Sequence, residues 1–440
     1  MALRYRGYPT AKQQEVLGRH CADARAVWNA ALEQLNWWRP GRTSSPGHAE
    51  RNRQLAEARH ELAWLAEGSS SVQQQALRDF QQALRNWWAG THRKPQWRKR
   101  GQDEGFCVRD VRVRKLNRRW AELTVPKAGP VCFRLSRPLP NRKLGMARVT
   151  LDGKSRWHIS FPAAQPAVER ERTGAIVGID RGIASTLASS DGRTTRAPVM
   201  RARERRRIER LQQRLARQRI ASHRRERTKR RIAAVHQTVR DRRKNWIEIQ
   251  TTRLVHDHDV LAVEDLRVRN MVRRPAPKAD PDRAGAFLPN GARAKAGLNR
   301  SILQQGWSLW LRRLKDKAEA SGVEVVEVPP AHTSDGCRMC GHQAAENRES
   351  QAVFRCQRCG HSGHADLEAA NSILARAVSL RLAPTPGQGA STPRRAASVR
   401  RPRSGRSGNF RAGTRDRGVS PSGNPTAVSR GRTSTKGGPR

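Results

Sequence analysis

Four cysteines near the C-terminal end of the sequence stand in two matched pairs. Two residues separate the members of each pair and fifteen separate the pairs: Cys337 with Cys340, and Cys356 with Cys359. A two-residue gap lets one tight turn point two thiolates at a single ion, and Zn²⁺ favours four such ligands in a tetrahedron. The spacing therefore predicts a zinc ribbon with one structural zinc ion. Because four sulfurs complete that site, three nearby histidines are interpreted as loop residues: His342, His361 and His364.

Three carboxylates stand at the ends of predicted elements. Asp180 ends the apolar run AIVGID, Glu264 lies at the end of VLAVEDL, and Asp366 opens a predicted helix that begins HADLEAAN. RNase H-like nucleases hold two divalent ions with acids placed in this way, and carboxylate oxygens are the ligands that Mg²⁺ favours. We therefore predict a site for phosphodiester hydrolysis with two Mg²⁺ ions, for which Mn²⁺ is the alternative. Asp265 is a competing candidate, although strand alternation would point it away from Glu264.

The charge of the chain indicates a polyanionic partner. Lys plus Arg total 88 against 38 Asp plus Glu in 440 residues, a formal net charge of +50 at pH 7. Counterion release from phosphates offsets such charge, so nucleic acid is the expected partner. The segment THRKPQWRKRG (91–101) places a tryptophan among basic residues, which suits phosphate contacts combined with base or sugar stacking. A packing role for this tryptophan is an equal alternative. The predicted nucleic-acid contacts are Arg93, Lys94, Trp97, Arg98, Lys99 and Arg100.

Cysteine usage and hydropathy exclude several classes of protein. Outside the ribbon only Cys21, Cys107 and Cys132 remain, so the chain has no disulfide framework and we expect a reducing compartment. The N-terminal segment lacks the apolar core of a signal peptide, and no run of 18 apolar residues occurs in the sequence. We therefore expect a soluble, cytoplasmic protein without a membrane partner.

Hydrophobic periodicity in the N-terminal half predicts two helices and a small β module. A strand at 3–8 precedes a helix that Thr10 and Gln13 cap, and a second helix begins at a cap on Ser71 and stops at Gly90. Residues 106–162 then alternate with period two, which is typical of strands. This part predicts a β-barrel-like module with strands at 111–114, 120–125, 131–135, 147–151 and 157–161.

The C-terminal half has the pattern of an α/β unit. Buried strands are predicted at 175–180, 260–266 and 323–328. A very basic helical hairpin is predicted at 201–255, with its break near 221–224, and a mobile loop is predicted at 270–299 before an amphipathic helix at 301–322. From about residue 382 the sequence is Pro, Gly, Ser, Thr and Arg, which predicts a disordered basic tail.

Several motifs resemble those of the TnpB family, also called transposase OrfB. They are GIDRGI (178–183), VEDLRVRNM (263–271), ILQQGW (302–307), TSDGC (333–337), NRESQ (347–351) and HADLEAANSIL (364–374), and the resemblance extends over about residues 1–378. Proteins of this family are RNA-guided DNA endonucleases of insertion sequences and relatives of the compact type V CRISPR effectors. The resemblance implies that Asp180, Glu264 and Asp366 are the catalytic acids and that the four ribbon cysteines bind zinc.

The resemblance also implies a multidomain α/β fold. It consists of an RNase H-like (RuvC) nuclease domain with an inserted zinc ribbon, preceded by a helical recognition region and a small β-barrel wedge module. The predicted divisions are 1–10 for the first wedge strand, 11–95 for the recognition region, 96–170 for the wedge module, 174–330 for the nuclease domain, 331–363 for the ribbon, 364–380 for the last nuclease helix and 381–440 for the tail.

The partners that the resemblance implies are a guide RNA and a double-stranded DNA target with a short flanking motif. The family pattern also implies a monomeric ribonucleoprotein in the prokaryotic cytoplasm or nucleoid. Two positions depart from that pattern: Glu368 stands where the family often has Asn, and Asp335-Gly336 replaces a usual polar pair.

Two interpretations of the basic C-terminal tail stay open. It is either an electrostatic arm or a peptide encoded where the guide scaffold overlaps the coding region.

Two other functions compete with the nuclease. A single-strand transposase needs a His-hydrophobic-His pair and a tyrosine nucleophile. This sequence has His-Asp-His at 256–258, and its only tyrosines, Tyr5 and Tyr8, lie in the first predicted strand. A catalytically silent, RNA-guided or zinc-ribbon nucleic-acid-binding regulator is the second alternative, and it leaves the three acids without a role.

Overall fold

The computed structural model describes residues 2–37, 46–140, 144–283 and 285–382. The predicted disordered tail lies outside the described residues, apart from its first two positions. Those two residues belong to the last turn of the final helix, which ends at Leu382.

The N-terminal part of the chain forms an antiparallel sheet of seven strands. They are β1 (Ala2–Gly7), β2 (Gly105–Arg109), β3 (Val113–Lys115), β4 (Trp120–Val125), β5 (Gly129–Arg134), β6 (Met146–Leu151) and β7 (Trp157–Pro162). Their order is β2-β6-β7-β1-β5-β4-β3, so the first strand of the chain lies at the centre of the sheet. The five predicted strands of the module are confirmed. β2 was not predicted, because its three central residues are all buried and it does not alternate.

The two edge strands of this sheet, β2 and β3, are consecutive in the sequence. Only residues 110–112 join them, and the four peptide steps from β2 to β3 span at most about 15 Å. A flat sheet of seven strands would hold its edges about 29 Å apart. The sheet must therefore curl until its edges approach each other, as the predicted barrel-like module requires.

Helices pack against this sheet through a shared core. The helices are α1 (Ala11–Trp37), α2 (His48–Glu61), α3 (Ala63–Ala66) and α4 (Ser70–Trp88). The predicted capping box is confirmed, because the Gln13 N–H donates to Thr10 Oγ1 and the Thr10 N–H donates to Gln13 Oε1. The predicted cap at Ser71 is wrong, since α4 begins after Ser69. One hydrophobic core joins α1 and α4 to the sheet.

The second sheet has five strands and belongs to the C-terminal half. They are β8 (Ile176–Asp180), β9 (Leu187–Ser189), β10 (Thr194–Thr195), β11 (Val260–Glu264) and β14 (Glu324–Val328). Their order is β10-β9-β8-β11-β14, in which β8, β11 and β14 are parallel and β8, β9 and β10 form an antiparallel meander. The three predicted buried strands are confirmed. β9 and β10 were not predicted, because strands of two or three residues show no period.

Helices cover both faces of the second sheet. The remaining helices are α5 (Ala202–Ala216), α6 (His223–Asp257), α7 (Val268–Met271), α8 (Ala292–Gln305), α9 (Trp307–Ala320) and α10 (Ala365–Leu382). Val177, Ile179, Leu261 and Val263 share a core with α6 and α9. Ala262, on the alternate side of β11, packs with α10. Because side chains alternate between the two faces along a strand, every second residue of β8 and β11 lies on the face that α10 covers.

Two predictions in the C-terminal half need correction. The segment 270–299 is not a continuous loop, because it contains α7, a two-strand hairpin formed by β12 (Lys278–Ala279) and β13 (Phe287–Leu288), and the start of α8. The helix predicted at 301–322 is divided into α8 and α9 by Gly306, whose φ is +77°. The basic hairpin is confirmed as α5 and α6, which break over residues 217–222.

Candidate active site and zinc centre

Strand alternation brings the three predicted acids together beside α10. The register of β8 and β11 places Asp180 and Glu264 at the same level, at the ends of neighbouring parallel strands. Asp366 lies in the first turn of α10. A β-carbon built on Gly182 would lie 3.8 Å from Asp180 Oδ2 and 3.9 Å from Asp366 Oδ2, so both oxygens approach one point. Asp265, the competing candidate, is exposed, whereas Glu264 is only 6% exposed.

The acids lie in an environment that opposes their ionisation. Burial, and then the charges of Glu264 and Asp366, raises the pKa of Asp180 to about 7. Burial also raises the pKa of Glu264. A divalent cation relieves both effects, because it stabilises neighbouring carboxylates in their charged form. The donor set, three hard carboxylates at one edge of a sheet, therefore fits Mg²⁺ or Mn²⁺.

Two residues that the sequence analysis did not assign contact these acids. Thr333 Oγ1 donates a hydrogen bond of 2.5 Å to Oε1 of Glu264, and the threonine is buried. Arg348 Nη2 lies 3.5 Å from Oδ1 of Asp366. Both residues come from the segment between β14 and α10, within the TSDGC and NRESQ motifs. Those motifs are the only sequence signal that marks them.

A buried arginine also contacts the site. Arg181 directly follows Asp180 in the sequence, and its Nη2 donates a hydrogen bond to the main-chain oxygen of Glu264. Its guanidinium lies over the ring of Trp310, 5.9 Å from the centroid. Burial lowers the pKa of Arg181, while nearby acids, Glu264 first, oppose that shift. Its buried positive charge partly offsets the repulsion among the acids.

The four ribbon cysteines converge as predicted. Their sulfur atoms all lie within 4.8 Å of one another. The Sγ atoms of Cys337 and Cys359 are 3.7 Å apart, and those of Cys340 and Cys356 are 3.5 Å apart. Sulfurs bound at 2.3 Å to one tetrahedral zinc ion would be about 3.8 Å apart. The cluster therefore fits a structural zinc ion.

The two cysteine turns are structural copies of each other. In the first, the Cys337 N–H donates to His342 O and the Gly341 N–H donates to Cys337 O, at 2.9 Å each. The second turn, CQRCGH, repeats both hydrogen bonds through the Cys356 and Gly360 N–H groups. Each turn needs a glycine after its second cysteine, because φ there is +72° and +73°.

The ribbon histidines are not among the clustered ligands. His342 and His361 contribute their main-chain oxygens to the cysteine turns, and His364 ends β16 (Ser362–His364), which pairs with β15 (Val353–Arg355). Among the described residues, only the four cysteines already hold their ligand atoms close enough together for one metal ion. The loop interpretation of the three histidines is therefore the one that the geometry favours.

The oxygens of the three acids are not gathered as closely as the four sulfurs, so the fit of the acid site to Mg²⁺ rests on its donor chemistry and on the approach of Asp180 and Asp366 to each other.

The predicted nucleic-acid segment runs beside α1. Asn29 exchanges two hydrogen bonds with the main chain of Arg98, and the Arg98 guanidinium lies 3.8 Å from the centre of the Trp28 ring. Arg98 therefore packs against α1, and its contact with nucleic acid stays a prediction. Trp97 is 48% exposed. Four basic residues of the segment are also exposed: Arg93, Lys94, Lys99 and Arg100.

A second basic surface lies on α5. Ile208, Leu211 and Leu215 form the face of α5 that is turned away from solvent. At about 100° per residue, five arginines fall together within an arc of about 100° on the other side of the helix. These five exposed side chains, named here the α5 arginine row, are Arg203, Arg206, Arg207, Arg210 and Arg214. The two acids of α5, Glu204 and Glu209, lie outside that arc.

Comparison with known proteins decides the family. Over 379 residues the chain is 32% identical to an Escherichia coli strain K12 protein named "Putative RNA-guided DNA endonuclease InsQ", and the match covers 85% of this chain and 91% of InsQ. The chain belongs to the TnpB family. A Streptomyces pristinaespiralis relative with the same kind of name is 30% identical over 381 residues, which are 85% of this chain and 88% of that protein.

Three family descriptions match successive parts of this TnpB chain. Residues 1–42 match "Helix-turn-helix domain", residues 160–274 match "Probable transposase" and residues 307–373 match "Cas12f1-like, TNB domain". Within the described part of the first match, the structure has one strand and a single long helix, β1 and α1, rather than two short helices. The third match spans α9, the ribbon and the start of α10.

The fold agrees with this family. The chain superimposes on Cas12f1 from the cryo-EM structure of a Cas12f1–sgRNA–target DNA complex with a TM-score of 0.51, at 12% identity and over 83% of each chain. This likeness establishes a mixed α/β fold of the Cas12f type. Among the described helices of this TnpB protein, none combines the length and apolar character needed to cross a membrane.

Proposed function

We propose that this protein is an RNA-guided DNA endonuclease that hydrolyses phosphodiester bonds at Asp180, Glu264 and Asp366 with two divalent cations. The observation that carries the proposal is the convergence of two strand-end acids and one helix acid on the same side of a sheet. The strand order, with three antiparallel strands followed by two parallel ones, supports an RNase H-like nuclease domain. Two Mg²⁺ or Mn²⁺ ions would supply an activated water and neutralise the scissile phosphate.

The side chains around the acids have distinct tasks in this proposal. Asp180, Glu264 and Asp366 offer oxygen ligands, and Thr333 fixes one oxygen of Glu264 by its hydrogen bond. Arg348, whose side chain is 32% exposed, can leave Asp366 for a phosphate oxygen, since an arginine fork suits phosphate as well as carboxylate. Arg181 is buried beside the acids, and its positive charge offsets part of their negative charge.

The parts of the chain divide the other tasks. We assign residues 1–10 and 96–170 to a wedge module, residues 11–95 to a recognition region, residues 174–330 with 364–380 to the nuclease domain, and residues 331–363 to the zinc ribbon. The partners are a guide RNA and a double-stranded DNA target with a short flanking motif. The exposed Trp97 with its basic neighbours and the α5 arginine row are the surfaces that support this assignment, because they join stacking area to fixed positive charge.

A cleavage assay tests the proposal. The full chain is combined with the guide RNA transcribed from the DNA directly downstream of its gene, and with a target plasmid and Mg²⁺. Asp180→Ala should abolish cleavage and leave target binding intact. Asp265→Ala is the matched control, because this neighbouring acid is exposed, and it should cut normally. Guide-dependent binding by the wild type without any cleavage would instead identify a catalytically silent regulator.

A further inference from the structure

Glu368 connects the zinc centre to the helix that carries Asp366. It lies in the first turn of α10, two residues after Asp366, and it is buried. Two positions along an α-helix point about 200° apart. The same helical turn can therefore present Asp366 to the sheet and Glu368 to the ribbon.

One oxygen of Glu368 meets both cysteine turns. Arg338, between the cysteines of the first turn, donates through Nε to Glu368 Oε2 at 2.8 Å. His361, two residues after the last cysteine of the second turn, has its Nε2 3.1 Å from the same oxygen. A β-carbon at Gly363 would lie 2.8 Å from Glu368 Oε1, so the glycine leaves the space that this side chain fills.

The helix start also rests on the zinc cluster directly. Ala365, the first residue of α10, packs with Cys337, Phe354 and Cys356 in one small core. The Ala365 N–H donates to Ala352 O at 2.9 Å. The position of the first turn of α10 is therefore fixed by the ribbon, and Glu368 is the side chain of this turn that contacts both cysteine turns, through a hydrogen bond from Arg338 and a close approach of His361.

We infer that Glu368 is a positioning residue that couples zinc in the ribbon to divalent-ion binding at Asp366. This inference rests on the proposed nuclease function. When the cysteine turns loosen, Arg338 moves away and leaves a buried carboxylate without its positively charged partner, which is strongly unfavourable. The first turn of α10 then unwinds or shifts, and Asp366 shifts with it. Asparagine is shorter and uncharged, so it cannot hold both partners in this way.

Coupling of this kind must act in both directions. If zinc orders Asp366 for the catalytic cations, then cations bound at the acids must hold zinc more tightly by the same factor. Zinc affinity therefore reports on the coupling without any cleavage reaction.

The experiment measures the equilibrium zinc affinity of the full-length protein by competition with a chromogenic chelator, with and without Mg²⁺. In the wild type, Mg²⁺ should raise the zinc affinity by about fivefold or more. Asp180→Ala, which removes a cation ligand and leaves Glu368 with Arg338 and His361 intact, should abolish this effect. Glu368→Asn and Arg338→Gln should each lower the zinc affinity about tenfold and reduce the Mg²⁺ effect to less than about twofold.

A matched control separates coupling from loss of structure. Arg358 is the exposed arginine between the cysteines of the second turn and forms no ion pair with a described residue, so Arg358→Gln should behave as the wild type. A merely structural role for Glu368 would lower the zinc affinity of Glu368→Asn equally with and without Mg²⁺, and that result would overturn the inference. If the wild type cleaves DNA yet Mg²⁺ leaves its zinc affinity unchanged, the coupling is wrong while the nuclease proposal stands. If the nuclease proposal itself is wrong, the wild type will fail to cut DNA in the separate cleavage assay.

Discussion

Gly178 in β8 lies against the main chain of Ala370 in α10. A β-carbon at Gly178 would be 2.1 Å from Ala370 O and 2.7 Å from the amide nitrogen of Leu374. Two main chains come this close only where one residue has no side chain. Gly178 and Asp180 lie on the same face of β8, and Asp366 is carried by α10, which packs on that face. The contact at Gly178 therefore sets how far Asp366 lies from Asp180.

Gly178→Ala should therefore separate α10 from the sheet. We expect a loss of about 1–3 kcal/mol in the free energy of unfolding, because the added methyl group meets rigid main chain. Displacement of Asp366 by about 1 Å should lower the cleavage rate about 100-fold. The control is Gly18→Ala in α1, where a β-carbon meets no atom within 4 Å. That variant should be at least as stable as the wild type and cut normally, and equal activity of both variants would contradict the packing argument.

The raised pKa of Asp180 predicts a pH-dependent loss of folding stability in the ion-free protein. The pKa is about 7 in the folded chain against 3.8 for an unperturbed aspartate. Between these values the folded state holds a proton that the unfolded state has lost, so stability falls as pH rises from about 4 to about 7. Above pH 7 the full loss of folding stability remains, on the order of 4 kcal/mol.

Asp180→Asn should remove this loss of stability. Thermal unfolding in EDTA-free buffer without divalent ions should show the variant more stable than the wild type at pH 8, with the difference vanishing near pH 4. Added Mg²⁺ should stabilise the wild type at pH 8 and leave the variant nearly unchanged. The same stability difference at both pH values would mean that ionisation of Asp180 is not its source.

The hydrogen bond from Thr333 predicts a selective effect on cation affinity. Thr333→Val keeps the shape of the side chain and removes the hydroxyl group that donates a hydrogen bond to Glu264. We expect Mn²⁺ binding, followed by electron paramagnetic resonance in the absence of nucleic acid, to weaken about tenfold. Thr333→Ser restores the hydroxyl and should recover most of the affinity. Failure of serine to rescue would point to packing by the methyl group instead.

The sequence was sufficient for the residues that end or begin regular elements. Asp180 and Glu264 were predictable because each follows an unbroken apolar run, and a buried run of that length is a strand whose end is easily located. The cysteines were predictable because a turn of two residues fixes their spacing locally. Both arguments use neighbours in the sequence, and the structure confirms both sets of positions.

The partners of those residues could not be predicted in the same way. Thr333 lies 69 residues from Glu264 and Arg338 lies 30 residues from Glu368 in the sequence, so their contacts depend on how the ribbon packs on the sheet. The segment 292–305 was predicted as part of a loop because of the nearby prolines and glycines. It forms α8, because its alanine and lysine residues favour a helix more strongly than those neighbours oppose it. Arg98 was predicted from its charge as a nucleic-acid contact, and that stays a prediction. Its stacking on Trp28 could not be predicted, because it depends on the position of α1.

Zinc should be a structural requirement of the ribbon. Cys337→Ser removes one of four sulfurs that lie within 4.8 Å of one another, and we expect bound zinc to fall from about one ion per chain. Elemental analysis of the purified full-length protein measures this directly. Since the first turn of α10 packs on Cys337 and Cys356, cleavage should fall as well. Native protein without zinc would contradict the assignment of the cluster.

The α5 arginine row should hold a nucleic-acid backbone. Its five side chains span about 16 Å along one side of α5, and none of them forms an ion pair with a residue that the structure describes. We expect the triple variant Arg203→Gln, Arg207→Gln and Arg210→Gln to weaken guide RNA binding and to lower the slope of log affinity against log salt by about 2–3. The charge-matched control replaces three exposed arginines away from the row: Arg172, Arg205 and Arg253. Because both variants lose the same net charge, a non-specific effect of charge would change the two slopes equally, whereas a backbone site on α5 should change only the first.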